Sequence, residues 1–105
     1  VSVPVDIALI ILPKVLNVIG DQTIVFEVGS TKMPICEAVA NHPKRRNYIA
    51  THPIAGTEFS GPSAAIKGLF QGKTNIICEV EKTTFKLQAN RSLMFRICHI
   101  SALLC

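Results

Sequence analysis

Apolar residues along the chain fall into runs that alternate between strand and helix character. Runs rich in β-branched residues predict strands at residues 1–5, 23–28, 48–51 and 73–80. The segments 7–19, 34–39 and 63–70 carry apolar residues at helical spacing, the last of them weakly. Alternation of strands and helices predicts right-handed crossovers. We therefore expect an α/β fold with a largely parallel sheet and flanking helices.

The first predicted helix has the clearest periodicity. Asp6 is a candidate N-cap, and Pro13 either bends this helix or marks its true first turn. The apolar positions assigned to its buried face are Ile7, Ile10, Ile11, Val15, Val18 and Ile19. The apolar run that precedes it stops at once, as the last residues of a buried strand do, so we expect that strand to begin before Val1.

Charge is unevenly distributed. Residues 1–81 hold equal numbers of basic and acidic side chains, so the formal net charge of +4 comes from Lys82, Lys86, Arg91 and Arg96. A neutral body argues against a nucleic-acid-binding surface, which carries a basic stripe on the folded face. We interpret the Lys44–Arg46 run as a solvated loop after the second helix, with phosphate binding as the alternative.

The cysteine spacing and the length of the apolar runs bear on metal binding, disulfide bonds and membrane association. The four cysteines form no C-x-x-C motif, and Cys36 and Cys78 lie inside apolar segments, so we predict neither a metal site nor a disulfide framework. Cysteines without a disulfide framework are typical of proteins in a reducing cytoplasm. The longest apolar stretch, Ile7–Leu12, is far shorter than the ~20 residues that span a membrane, and it lacks the features of a secretory signal. We expect no membrane partner.

Polar residues gather where the predicted strands end. Ligands of open α/β sheets bind beyond the carboxyl ends of the strands, which here hold Pro4, residues 29–32 and residues 52–60. No strand is followed by the G-x-G-x-x-G turn that binds a dinucleotide, and Gly56 and Gly61 have the wrong spacing for it. The half of a nucleotide-binding fold that holds the phosphates is therefore absent from these 105 residues.

Three segments carry a family resemblance. Residues 52–61, HPIAGTEFSG, resemble the H-P-[MI]-[AF]-G-T-E-x-S-G signature of prephenate dehydrogenases. Residues 28–32, VGSTK, are similar to that family's D-x-G-S-x-K strand end, and residues 3–5, VPV, are similar to an earlier strand end. The resemblance covers residues 1 to about 82 and implies the C-terminal half of a Rossmann-like, mostly parallel sheet with flanking helices.

The resemblance implies an NAD-dependent oxidative decarboxylation of prephenate to 4-hydroxyphenylpyruvate, a step of tyrosine biosynthesis. An imidazole is suited to take the proton of the reacting hydroxyl at neutral pH. By the family's motifs, His52 and Ser30 are the catalytic residues. The same motifs imply that Thr57, Glu58 and Ser60 bind substrate and that Pro4, Gly29 and Ser30 bind NAD.

The resemblance also implies a domain organisation. Residues 1–82 correspond to a partial nucleotide-binding domain without its glycine-rich N-terminal half, and residues 83–105 form a tail atypical of the family. Glu27 stands where the family more often has Asp. We expect the isolated chain to be inactive, cytoplasmic and homo-oligomeric, because an unpaired strand edge favours association. The alternative is a non-catalytic α/β fragment that acts through strand-edge pairing or protein interaction.

Overall fold

The computed structural model describes residues 1–56, 62–83 and 101–104. Two α-helices and four strands lie within these ranges. The helices are α1 (Val5–Val18) and α2 (Met33–Val39), and the strands are β1 (Val25–Glu27), β2 (Tyr48–Pro53), β3 (Thr74–Cys78) and β4 (Ser101–Leu104). Short 3-10 turns occupy Arg45–Asn47, Pro62–Ala64 and Val80–Lys82.

The four strands form one mixed sheet in the order β1-β2-β3-β4. β1 pairs with β2 in parallel, as the helix between them requires, and β3 pairs with β4 in parallel. β2 and β3 are antiparallel, with Thr51 opposite Ile77. The prediction of a mostly parallel sheet is therefore not confirmed, although the α/β class is. The tail contributes β4, which the sequence did not predict.

The reversal at β3 follows from the segment that precedes it. Residues 63–70 do not form the predicted helix: a 3-10 turn ends at Ala64, and turns continue to Gly72. Gly68 and Gly72 both have left-handed backbone angles, with φ of 73° and 69°, which a continuous right-handed helix excludes. Without a crossover helix, the chain returns antiparallel to β2.

α1 buries a face that matches the predicted one only in part, since Val15 and Ile19 pack against the core as expected. Its fully buried residues are Ala8, Leu12 and Leu16, spaced four apart, whereas Ile10 is 58% and Val18 is 83% exposed. The helix begins at Val5, after Pro4, so Asp6 is not its N-cap, and Pro13 lies inside it. The predicted strand over residues 1–5 is absent, but the amino group of Val1 donates to the carbonyl of Phe26 at 2.6 Å and so lies beside β1.

The sheet separates two apolar clusters. On one face, both helices pack against the side chains of Val25, Tyr48 and Ala50. On the other face, Ile49 and Ile77 form a smaller cluster. In the part of the chain that the structure describes, no helix is long and apolar enough to span a membrane.

The basic run after α2 is not a solvated loop throughout. Arg45 is only 7% exposed, and it lies 4.9 Å from the centre of the Tyr48 ring. Its guanidinium donates to the Tyr48 carbonyl at 3.0 Å and pairs with Glu79 at 2.7 Å, which joins the start of β2 to the end of β3. A buried arginine needs such partners, and they leave Arg46 as the exposed residue of the run.

Candidate functional site

The residues predicted for catalysis follow two neighbouring parallel strands. Glu27, the last residue of β1, pairs with Ala50 of β2. Ser30 comes three residues after Glu27, and His52 comes two residues after Ala50, so both lie beyond this pair toward the same edge of the sheet. Ser30 is exposed and His52 is half-buried. We call this edge, from Gly29 to Lys32 and from His52 to Gly56, the carboxyl edge.

A cleft of about 590 Å³ opens at the carboxyl edge. Its walls are largely apolar, and two groups that can carry positive charge, His52 and Lys73, line it. The other lining residues are Ile54, Ala55, Gly56, Ile66, Gly68 and Leu69. Lys73 reaches this edge because β3 runs antiparallel to β2: the amide of Ile54 donates to the carbonyl of Thr74 at 2.7 Å. The cleft can hold an apolar ring that bears an anionic group.

A buried carboxylate lies beneath the loop that carries Ser30. Glu27 is 1% exposed, and both of its carboxylate oxygens are hydrogen-bonded. Oε2 accepts the amide of Gly29 at 2.8 Å, and Oε1 accepts the hydroxyl of Tyr48 at 2.9 Å. Lys32 forms an ion pair with Oε1. We call these four residues, Glu27, Gly29, Lys32 and Tyr48, the Glu27 cluster.

Glycine at position 29 leaves room for the Glu27 carboxylate. A Cβ atom there would lie 3.0 Å from Glu27 Oε2 and 3.6 Å from side-chain atoms of Val5 and Ile35. Contacts near 3.0 Å force the neighbouring atom to move. Gly29 therefore allows the backbone to approach the carboxylate and the start of α1.

Burial also fixes the protonation state of Tyr48. Desolvation raises the pKa of its phenol well above the usual value, and the nearby Glu27 carboxylate raises it further. The phenol therefore remains protonated and donates to Glu27. Burial likewise raises the pKa of the Cys36 thiol, so this cysteine lacks the thiolate character of a nucleophile.

The main chain of Glu27 connects to β2 as well. The Thr51 hydroxyl donates to the Glu27 carbonyl at 2.7 Å, and Thr51 is almost completely buried. Thr51 directly precedes His52, as Gly29 directly precedes Ser30. Glu27 thus bonds to the residue before each predicted catalytic residue.

The predicted site residues do not all lie in one place. His52 lines the cleft, whereas Ser30, Gly29 and Pro4 are not part of its lining. Pro4 is exposed just before α1, whose first residue, Val5, packs near Gly29. Thr57, Glu58 and Ser60 lie outside the described residues. Among the residues that the structure describes, no group of three His, Cys, Asp or Glu side chains is arranged to hold a metal ion.

Sequence reasoning missed Lys73 and the Glu27 cluster. Lys73 is at this edge only because β3 is antiparallel, which the apolar pattern does not reveal. The Glu27 cluster does have a signal in the amino-acid sequence. Glu27 interrupts an otherwise apolar β-branched run, and a buried carboxylate of this kind needs a cation, which Lys32 supplies five residues later.

Comparison with known proteins identifies the family. The family model described as "Prephenate dehydrogenase, nucleotide-binding domain" matches residues 1–95. The chain belongs to the prephenate dehydrogenase family. The prephenate dehydrogenase of Bacillus subtilis (strain 168) is 31% identical over an alignment of 85 residues, which covers 79% of this chain and 23% of that enzyme. The chain thus spans about a quarter of this relative.

Solved structures of the prephenate dehydrogenase family share the fold. Prephenate dehydrogenase from Aquifex aeolicus superposes with a TM-score of 0.84 at 24% identity, over 100% of this chain and 37% of that one. Arogenate dehydrogenase from Synechocystis gives 0.83 at 25% identity, over 99% and 37%. A second A. aeolicus structure, in complex with hydroxyphenyl propionate and NAD+, gives 0.83 at 25% identity, over 99% and 36%. The mixed sheet is therefore a feature that the chain shares with these enzymes.

Proposed function

We propose that this chain is part of an NAD-dependent prephenate dehydrogenase, in which the carboxyl edge takes part in oxidative decarboxylation. The observation that carries the proposal is the position of His52. This imidazole lines a largely apolar cleft at the end of a strand whose parallel neighbour leads to Ser30. Family membership supports a dehydrogenase over a non-catalytic fragment.

His52 is the base in this proposal. The ring carbon of prephenate that bears the hydroxyl gives up a hydride, and the hydroxyl proton passes to the His52 imidazole as the ketone forms. Loss of CO2 leaves the electron pair of the broken C–C bond to the ring, which becomes aromatic, and its oxygen regains a proton. The products are 4-hydroxyphenylpyruvate, CO2 and the reduced cofactor. A half-buried neutral imidazole is suited to move that proton.

NAD supplies the hydride acceptor. The residues that fit its nicotinamide end are Ser30, which is exposed at the carboxyl edge, together with Gly29 and Pro4, which are brought near each other by the packing of Val5. Ser30 would also bond the hydroxyl of the substrate. The G-x-G-x-x-G turn that binds the pyrophosphate is absent from the 105 residues, so we expect the isolated chain to bind NAD weakly and to be inactive.

The cleft would take the ring and a carboxylate of the substrate. Ile54, Ile66 and Leu69 provide apolar contact, and the Lys73 ammonium complements a carboxylate. By the family resemblance, Thr57, Glu58 and Ser60 add polar contacts to the substrate. We further propose that the protein is cytoplasmic, as is typical of a chain whose cysteines, such as the buried Cys36, form no disulfide framework in the sequence, and that it is homo-oligomeric.

The proposal is tested in a chimaera in which this chain replaces the matching 85 residues of the B. subtilis enzyme. We expect the chimaera to form NADH from NAD+ and prephenate, with arogenate and NADP+ as comparison substrates. The isolated chain, assayed beside it, should form none. A folded chimaera that binds NAD but oxidises neither prephenate nor arogenate would contradict the proposal.

A further inference from the structure

Burial of the Glu27 carboxylate is unfavourable in free energy. A carboxylate that leaves water loses its hydration, and this loss destabilises the folded state unless charged and polar partners replace the water. Here the partners do so completely, since both oxygens accept hydrogen bonds and Lys32 balances the charge. An apolar residue in the same strand would avoid that cost, so the carboxylate has a role that packing alone does not explain.

Glu27 is hydrogen-bonded to the residue that precedes each predicted catalytic residue. Its side chain holds the Gly29 amide at 2.8 Å, and its carbonyl accepts the Thr51 hydroxyl at 2.7 Å. Ser30 and His52 are the next residues along the chain. A rotation of the Glu27 carboxylate would release the loop that carries Ser30, while the β2 end would remain held.

We propose that Glu27 is a positioning residue that sets the placement of Ser30 relative to His52, with Tyr48 and Lys32 fixing its carboxylate. This inference rests on the proposed function, because it assigns a purpose to the spacing of these two residues. Glu27 itself does not touch the substrate. Its effect passes through the Gly29 amide, which the carboxylate holds at the start of the Ser30 loop.

Replacing Glu27 with aspartate would keep one contact of the Glu27 cluster and remove another. An Asp side chain readily bonds to the backbone amide two residues later, which is Gly29, but it is one methylene shorter and cannot reach Tyr48 as well. Glu27→Asp therefore keeps the bond that positions the loop. Glu27→Gln keeps the shape but removes the charge that pairs with Lys32 and that strengthens the hydrogen bond from the Gly29 amide.

The first test measures amide hydrogen exchange by NMR in the full chain. We expect Glu27→Gln to speed exchange at Gly29 by about ten- to a hundredfold beyond any change in global stability, because hydrogen bonds to charged groups are strong. Glu27→Asp should remain within about threefold of the parent chain. Glu37→Gln, which removes an exposed carboxylate of α2, is the matched control and should not change Gly29.

The second test uses the chimaera. We expect Glu27→Gln to lower kcat by at least about tenfold with a KM for prephenate within about threefold, and Glu27→Asp to restore kcat. Unchanged Gly29 exchange in Glu27→Gln would overturn the positioning role while leaving the proposed function intact. A Glu27→Asp variant as impaired as Glu27→Gln would also overturn it. An inactive parent chimaera would instead count against the proposed function.

Discussion

Tyr48→Phe tests the Glu27 cluster with a minimal change. Tyr48 is completely buried, and its hydroxyl donates to Glu27 Oε1 at 2.9 Å. The substitution keeps the aromatic ring, and so preserves both the core packing and the contact with Arg45. It removes one hydrogen bond to a buried charge, which contributes about 1.5–3 kcal/mol, so we expect the free energy of unfolding to fall by about that amount.

Urea unfolding followed by circular dichroism measures the loss. The matched control is Glu37→Gln, which removes an exposed carboxylate of α2, and its effect should be smaller, about 0.5 kcal/mol or less. In a Glu27→Gln background the effect of Tyr48→Phe should shrink, because the two residues share the bond. A loss below about 0.5 kcal/mol in the parent chain, which is typical of a surface substitution, would refute the assigned strength of this contact.

Tyr48 also provides an alkaline test, since it is the chain's single tyrosine and tyrosinate absorbance reports on it alone. Burial and Glu27 raise the pKa of Tyr48 in the folded chain, whereas an unfolded tyrosine ionises near pH ~10. The unfolded state therefore loses its proton first, and this group makes folding less favourable as the pH rises above ~10. Tyrosinate should appear only as the chain unfolds. Its formation near pH ~10 with an unchanged dichroism spectrum would contradict the burial argument.

Two further predictions concern neighbouring contacts. Gly29→Ala places a Cβ atom 3.0 Å from Glu27 Oε2, so thermal unfolding should show a loss of about 1–3 kcal/mol, and a loss near zero would mean that the loop moves freely. The hydrogen bond from Lys82, with help from Arg45, lowers the pKa of Glu79, so its contribution to stability is present above the unfolded pKa of ~4.3 and is lost as the pH falls through the folded value. Stability measured against pH should therefore fall less steeply below pH ~4 in Glu79→Gln, and an identical acid limb would count against this ion pair.

The local elements of the fold were largely predictable from the sequence. β1, α2 and β2 follow from a β-branched run, a proline near a helix start and a second apolar run, and the structure confirms all three. The buried face of α1 was predicted only in part, because Ala8, Leu12 and Leu16 are less distinctive than the isoleucines that lie beside them.

Strand direction was not predictable from the apolar pattern. A buried strand has the same apolar pattern whether it runs parallel or antiparallel, and residues 63–70 suggested a crossover helix that the left-handed backbone of Gly68 interrupts. No pattern in the sequence therefore indicated that Lys73 lines the cleft. His52 was the reverse case: motif resemblance assigned its role, and the fold places it in the cleft.

The role of His52 as the base is the central claim, and His52→Asn in the chimaera tests it most directly. Asn keeps a hydrogen-bonding side chain of similar size but removes the proton-accepting imidazole. We predict that kcat falls by about two to four orders of magnitude while the affinities for NAD and prephenate remain nearly unchanged. Unchanged turnover per folded molecule, with only thermal stability reduced, would contradict the claim.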